Sequence, residues 1–188
     1  QALSLISVEY EPLSVCEDPR EALKPNASLI HKNHPLSKNN NISSQWRVEK
    51  GKAHEAIAQA DIILESDFET QMADHAYLEP EICIADEITG GITLIAPGHS
   101  PHLTCRSLAA AFGLPHSKVH VVSPIVGGSF GGKEDSNLEI AVMAGILALK
   151  TGCAVICEYT REESLRNTGK RHASYSHRKL AATKDGIL

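Results

Sequence analysis

No apolar run in this chain reaches the length that spans a bilayer, and no cleavable signal opens it. A basic excess is missing too. The 18 Lys and Arg stand against 23 Asp and Glu, and the net charge of −5 argues against nucleic acid and gives no basic face for a membrane. The cysteines lack the pairing of a disulfide framework: Cys16, Cys83, Cys105, Cys153 and Cys157 are odd in number, and the scattered histidines show no zinc-type spacing beside them. They read as reduced packing residues of a cytoplasmic protein, with Cys153 and Cys157 on one face of a strand. No methionine precedes Met72, and Lys184-Asp185-Gly186 reads as a hairpin turn with only Ile187 and Leu188 left of a return strand. Both ends look cut, so the chain is expected to be a segment. The 188 residues, 42% apolar, suffice for one sizeable core or two small ones.

What the chain does have is the run Gly127-Gly128-Ser129-Phe130-Gly131-Gly132-Lys133-Glu134. It follows an apolar, β-branched stretch at 119–126, which reads as a buried strand, and precedes residues 138–149, apolar almost all round and so expected to be a buried helix. Glycine removes the Cβ that would hold a ligand away from the backbone, and a helix start adds free N–H groups and a positive dipole end. An anion is the natural guest. The pattern satisfies seven positions of a nucleotide P-loop, but Glu134 stands where a Ser or Thr hydroxyl should hold magnesium, and its charge would repel phosphate. The dinucleotide fingerprint fails at Ser129, where its second glycine belongs. A plain strand-to-helix turn stays open as the structural alternative.

Periodicity and turn signals predict a strand at 3–10, then a polar linker at 12–45 with Pro12, Pro19, Pro25, Pro35 and the run Lys38-Asn39-Asn40-Asn41, the place where disorder is expected. They further predict helices at 51–60, 101–112 (capped by Gly113), 135–150 and 161–167. Strands are expected at 62–71, 81–87, 92–96, 119–122, 154–159 and 174–182, with Thr89-Gly90-Gly91 as a hairpin turn. Alternating helices and strands without repeats predict an α/β (α+β) fold with a mixed sheet.

Three segments flank the loop in a fixed order: His75-Ala76-Tyr77-Leu78-Glu79-Pro80-Glu81 upstream, then Thr160-Arg161-Glu162-Glu163 and Gly169-Lys170-Arg171-His172 downstream. With the glycine loop they resemble the large, molybdopterin-binding subunit of the molybdenum hydroxylases, the xanthine dehydrogenase and aldehyde oxidase family. Val8-Glu9-Tyr10-Glu11-Pro12-Leu13 and Asp18-Pro19-Arg20-Glu21-Ala22-Leu23 are similar to the tail of that protein's α/β-hammerhead domain. The resemblance therefore implies two parts: residues 1–47 as hammerhead tail and linker, and 48–188 as the incomplete first part of the molybdopterin-binding region.

The resemblance implies an oxidoreductase for purine-like or other N-heterocyclic substrates, inactive as an isolated segment, with molybdenum–molybdopterin as cofactor. Its implied partners are the rest of the catalytic chain, and iron–sulfur clusters and FAD on other chains or domains. A non-catalytic scaffold or assembly module derived from the same large chain is the alternative. Gly128, Phe130 and Gly131 are implied to bind the cofactor, the backbone at Phe130 lying beside molybdenum, and Glu134 to face the substrate. A carboxylate can hydrogen-bond a ring nitrogen and steady developing charge; the bland reading of Glu134 is a helix-start glutamate stabilised by the dipole. Where the family often has a glutamine on the metal's oxo group, Gly98-His99-Ser100-Pro101-His102 offers His99, a cofactor-binding candidate that titrates near neutral pH. A loop histidine before a helix is the alternative. His75 reads as structural, residues 161–163 as a solvated first turn, and Lys170, Arg171 and His172 as surface or inter-subunit contacts. No catalytic residue of the family matches a position in this segment.

Overall fold

The computed structural model describes residues 2–31, 41–134 and 137–188, which fall into two compact units, Gln1–Gln59 and Ala60–Leu188. In the first unit the expected strand at 3–10 is absent: Ala2–Leu5 form a 3-10 turn and residues 6–10 have no regular structure. A strand needs a partner for its backbone groups, and none pairs with these residues among those described. Helix α1 (Pro19–Ala22) is started by Asp18, whose carboxylate accepts the Arg20 N–H at 2.7 Å, with Pro19 at the first position. Asn41 pins the passage after it, accepting from Ile30 N–H at 3.0 Å and donating to Ala22 and Ser28 carbonyls. Most of the expected Lys38–Asn41 polar run lies outside the described residues. Helix α2 (Ala53–Gln59) ends the unit.

The second unit runs β1 (Ile62–Thr70), β2 (Ile82–Ile88), β3 (Gly91–Ile95), α3 (Pro101–Phe112), β4 (Val119–Val122), α4 (Asn137–Thr151), β5 (Val155–Glu158), α5 (Arg161–Asn167) and β6 (Ser174–Ala182). Strands β1 and β6 form an antiparallel ribbon from Ile62↔Ala182 to Thr70↔Ser174. The remaining strands make a mixed sheet in the order β4-β3-β2-β5. β2 and β3 are a hairpin, and β3 and β4 are parallel, which requires a crossover; α3 supplies it. Gly113 ends α3 in the left-handed conformation, φ +66, its N–H on the carbonyls of Ala109 and Ala110.

Helices α3 and α4 cover one face of the sheet. Cys83, Ala85, Ile92 and Leu94 meet Leu108, Ile140, Ala141, Ala144 and Ala148 there, all essentially fully buried. Each large side chain among them contributes about 1.5–3 kcal/mol by leaving water. A Cβ on Gly145 would overlap the Phe112 ring, so this glycine lets the two helices approach.

Three expectations need correction. The strand is found at 119–122, as turn signals place it, and the buried strand read over the longer apolar run 119–126 stops there because Pro124 has no N–H to donate to a ladder; Ile125 stands 96% exposed. Helix α4 is not buried all round: Met143, Ile146 and Leu147 are exposed on the side away from the sheet, which can cover only one face of a helix. The start expected at 135 lies outside the described residues, and the helix is described from Asn137. Cys153 precedes β5 and is exposed, so it does not share a strand face with Cys157. Cys157 is instead the register partner of Cys83, whose thiol burial pushes up to about 12. No helix among the described residues is long and apolar enough to cross a membrane.

Candidate cofactor and substrate site

The glycine loop leaves β4 through Ser123, whose hydroxyl donates to the Gly98 carbonyl at 2.6 Å and accepts the Gly98 N–H at 3.2 Å. Gly128 (φ +103), Phe130 (φ +52) and Gly131 (φ +89) all take the left-handed region. For Phe130 that conformation is strained, on the order of 1–3 kcal/mol. Its ring is 78% exposed, so packing of the ring is not what holds the strain. Gly132 N–H closes the turn on the Ser129 carbonyl at 2.8 Å, and Lys133 N–H reaches Ser129 Oγ at 3.0 Å. Among the described residues no internal acceptor receives the N–H groups of Gly128, Ser129, Phe130 and Gly131. Four successive donors without an acceptor among the described residues, with repeated left-handed turns, make a concavity suited to anionic oxygen or sulfur.

The segment 75–81 holds this loop from behind. Glu79 Oε2 accepts the Gly127 N–H at 2.9 Å, and Glu79 Oε1 takes the Lys133 ammonium at 2.6 Å. Lys133 is fully buried and stands 4.6 Å from the centre of the Tyr77 ring. A P-loop lysine must reach its ligand; this one is turned inward and paired, which disposes of the nucleotide reading. The Tyr77 hydroxyl donates to Glu81 Oε1, and Glu81 is fully buried with its other oxygen unpartnered among the described residues. A Cβ on Gly132 would lie 2.7 Å from Tyr77 Cε1 and 2.8 Å from His75 Cγ, so glycine is required where these rings pack.

In front of the loop lies a cavity of about 430 Å³, bordered by His75, Gly131, Glu134, Glu139, Lys170 and His172. Lys170 is committed to Asp74 at 2.8 Å and to the Thr168 carbonyl at 2.6 Å. Burial alone would raise the Asp74 carboxyl, but the Lys170 ammonium and the Ala76 N–H outweigh it and leave its pKa below the ordinary value. With Lys170 so neutralised, Glu134 and Glu139 are the charged groups at the cavity wall without an ion pair among the described residues.

The structure thus brings Gly131 and Glu134 to one cavity, with exposed Phe130 and half-buried Gly128 in the same loop. His99 is exposed, outside the residues bordering that cavity, and tied to the loop by its N–H on the Lys133 carbonyl at 3.2 Å. His75 packs against Gly132 and borders the cavity, as do Lys170 and His172, which sequence reasoning treated as structural or surface residues. The pairing of buried Lys133 with half-buried Glu79 and the buried Tyr77–Glu81 pair were missed as well. The available signal was three polar residues, Tyr77, Glu79 and Glu81, on alternating positions of a segment that accompanies the loop. Residues 161–163 form the first turn of α5, closed by Thr160 and Glu163 as a capping box. Arg161 reaches past that turn to the Leu78 carbonyl at 2.7 Å. Among the described residues no group of three or more His, Cys, Asp or Glu side chains could hold a metal ion.

Among the described residues, a loop of N–H donors without internal acceptors beside a cavity has the chemistry of a site for an anionic group held by backbone. The molybdopterin cofactor-binding domain matches residues 33–188, and the chain belongs to that family. It is 36% identical over its whole length to a probable xanthine dehydrogenase chain of Bacillus subtilis, of which it covers 24%. It is 32% identical to the "Nicotinate dehydrogenase large molybdopterin subunit" of Eubacterium barkeri, covering 43% of that protein. The solved CO dehydrogenase of Oligotropha carboxidovorans superposes with a TM-score of 0.81 at 28% identity, over 98% of this chain and 24% of that one. The chain therefore spans a quarter to under half the length of these relatives. The mixed α/β fold expected from the sequence is the fold found.

The residues present fit the family's cofactor. The four N–H groups of 128–131, without an acceptor among the described residues, suit the dithiolene, oxo and phosphate-type acceptors of a molybdenum–pterin group, and the glycines leave no Cβ in their way.

Proposed function

We propose that the full-length protein is a molybdenum-dependent oxidoreductase of N-heterocyclic, purine-like substrates, and that this chain supplies one wall of its cofactor and substrate site. The observation that supports the reading is the continuity of the free-donor loop with Glu134 on the border of one cavity. When bound, the molybdenum–pterin group supplies the redox chemistry that hydroxylates a carbon next to a ring nitrogen with oxygen from water. The chain's own share is binding and orientation. The N–H groups of 128–131 hold the cofactor, with Phe130 and Gly131 nearest to it, and the exposed carboxylate of Glu134 hydrogen-bonds a ring nitrogen and steadies charge that develops on the ring. His99 donates to the cofactor from the neighbouring loop. Iron–sulfur and flavin centres on partner chains or domains would take up the electrons, in a protein that we place in the cytoplasm.

The test is Glu134→Gln in the full-length protein, which keeps the shape and removes the charge. We expect kcat/KM for heterocycles to fall by about 1–3 kcal/mol of transition-state stabilisation, with molybdenum content intact. An unchanged kcat/KM with a lowered melting temperature would make Glu134 a helix-start residue instead.

A further inference from the structure

We infer that Lys133 is a positioning residue that sets the spacing between the glycine loop and the loop carrying His99. Three separate stretches of chain end on this one residue. Its ammonium reaches Glu79 Oε1 at 2.6 Å, and the other oxygen of the same carboxylate takes Gly127 N–H at 2.9 Å. Its own N–H is bound by Ser129 Oγ at 3.0 Å, and its carbonyl accepts His99 N–H at 3.2 Å. Residues 77–81, 127–133 and 98–99 therefore meet at one residue, the first through its buried ammonium, which also lies against the Tyr77 ring, and the other two through its backbone N–H and carbonyl.

The pair is a poor choice for stability alone. Desolvating the buried ammonium offsets much of its attraction to the half-buried carboxylate, and apolar residues of similar volume usually hold a core as well. What the pair supplies is geometry. A flexible stem of four methylenes is fixed at its end, and one carboxylate bridges the side chain at 133 to the backbone at 127. A methionine there fills the volume but leaves the Lys133 carbonyl, and with it the His99 loop, free to shift. The residue acts through the loops it holds, not by touching substrate.

This inference rests on the cofactor reading for its chemical consequence, and one of its readouts does not depend on that reading. In the full-length protein, compare Lys133→Met and Glu79→Gln with the parent by amide hydrogen exchange, Mo(V) electron paramagnetic resonance and steady-state kinetics. Glu79→Gln keeps the shape and an acceptor for Lys133 while losing the acceptor for Gly127. We expect exchange at Gly127 to quicken at least about tenfold in both variants, and exchange at His99 to quicken likewise in Lys133→Met. The Mo(V) line shape should change and kcat should fall about tenfold or more with KM little altered. Parent-like exchange at His99 in a folded Lys133→Met protein overturns the inference. If Lys133→Met does not fold, a Glu79→Gln protein with parent-like Gly127 exchange, spectrum and kcat overturns it as well, because the pair then serves stability only. A parent devoid of molybdenum and pterin refutes the cofactor reading instead, and leaves the exchange result to decide the role of Lys133.

Discussion

Replacing Tyr77 with Phe removes one oxygen from the back of the glycine loop and little else. The ring stays, so its burial, 2% exposed, and its contact with the Lys133 ammonium at 4.6 Å stay with it. What goes is the donor to Glu81 Oε1, on a fully buried carboxylate whose second oxygen already has no partner among the described residues. Leaving a buried acceptor without its donor costs about 1–3 kcal/mol, and the full burial of Glu81 puts this one in the upper half of that range. We expect Tyr77→Phe to destabilise the chain by about 2–3 kcal/mol, read as a shift in the urea midpoint at constant slope. In a Glu81→Gln background the acceptor is neutral, and the same substitution should cost only about 1 kcal/mol. The coupling between the two sites is then about 1–2 kcal/mol in a double-mutant cycle. By contrast, removing the exposed Lys52–Glu55 pair should cost well under about 1 kcal/mol. A loss below about 0.5 kcal/mol for Tyr77→Phe, or equal losses in both backgrounds, would refute the claim that this bond braces the loop.

Gly132→Ala should cost about 1–3 kcal/mol by overpacking, since its Cβ would meet the Tyr77 and His75 rings at 2.7 and 2.8 Å; a neutral effect on the urea midpoint would mean that those rings can move aside. In the β1–β6 ribbon, Asp67 first and Glu65 second raise the His177 pKa above its ordinary value of 6.5. The linked stability is therefore fully present below pH 6.5 and is lost as pH rises through the raised folded-state value; an NMR titration should place His177 above 6.5, and His177→Gln should flatten that part of the stability profile.

Local signals carried most of the fold. Gly113 marks the end of α3 and the Thr160/Glu163 spacing sets the start of α5, each a short-range effect of backbone chemistry, whereas the apolar run past Val122 hid the stop that Pro124 imposes on β4. The stretch at 3–10 misled because a strand-like pattern says nothing about whether a partner strand exists. Residues 138–149 misled in the same way, since an apolar helix face does not reveal which side the sheet will cover. At the site, the glycine loop and Glu134 were visible as a motif. The inward turn of Lys133 was not, because it depends on Glu79, 54 residues upstream. His75, Lys170 and His172 reach the cavity only through long-range packing, and no local spacing foretells which side chains such packing brings together.

The central claim is that the backbone donors of 128–131 hold a molybdenum–pterin group, and its most direct test is the metal and pterin content of the full-length protein purified from a host that makes the cofactor. The account predicts stoichiometric molybdenum and pterin in the parent, and a marked loss of both in Gly131→Pro, which removes one of the four N–H groups and, because proline cannot take the φ of +89 found at Gly131, also breaks the left-handed turn that aims the others. A folded parent without either component, or a folded Gly131→Pro protein that retains both in full, would contradict it.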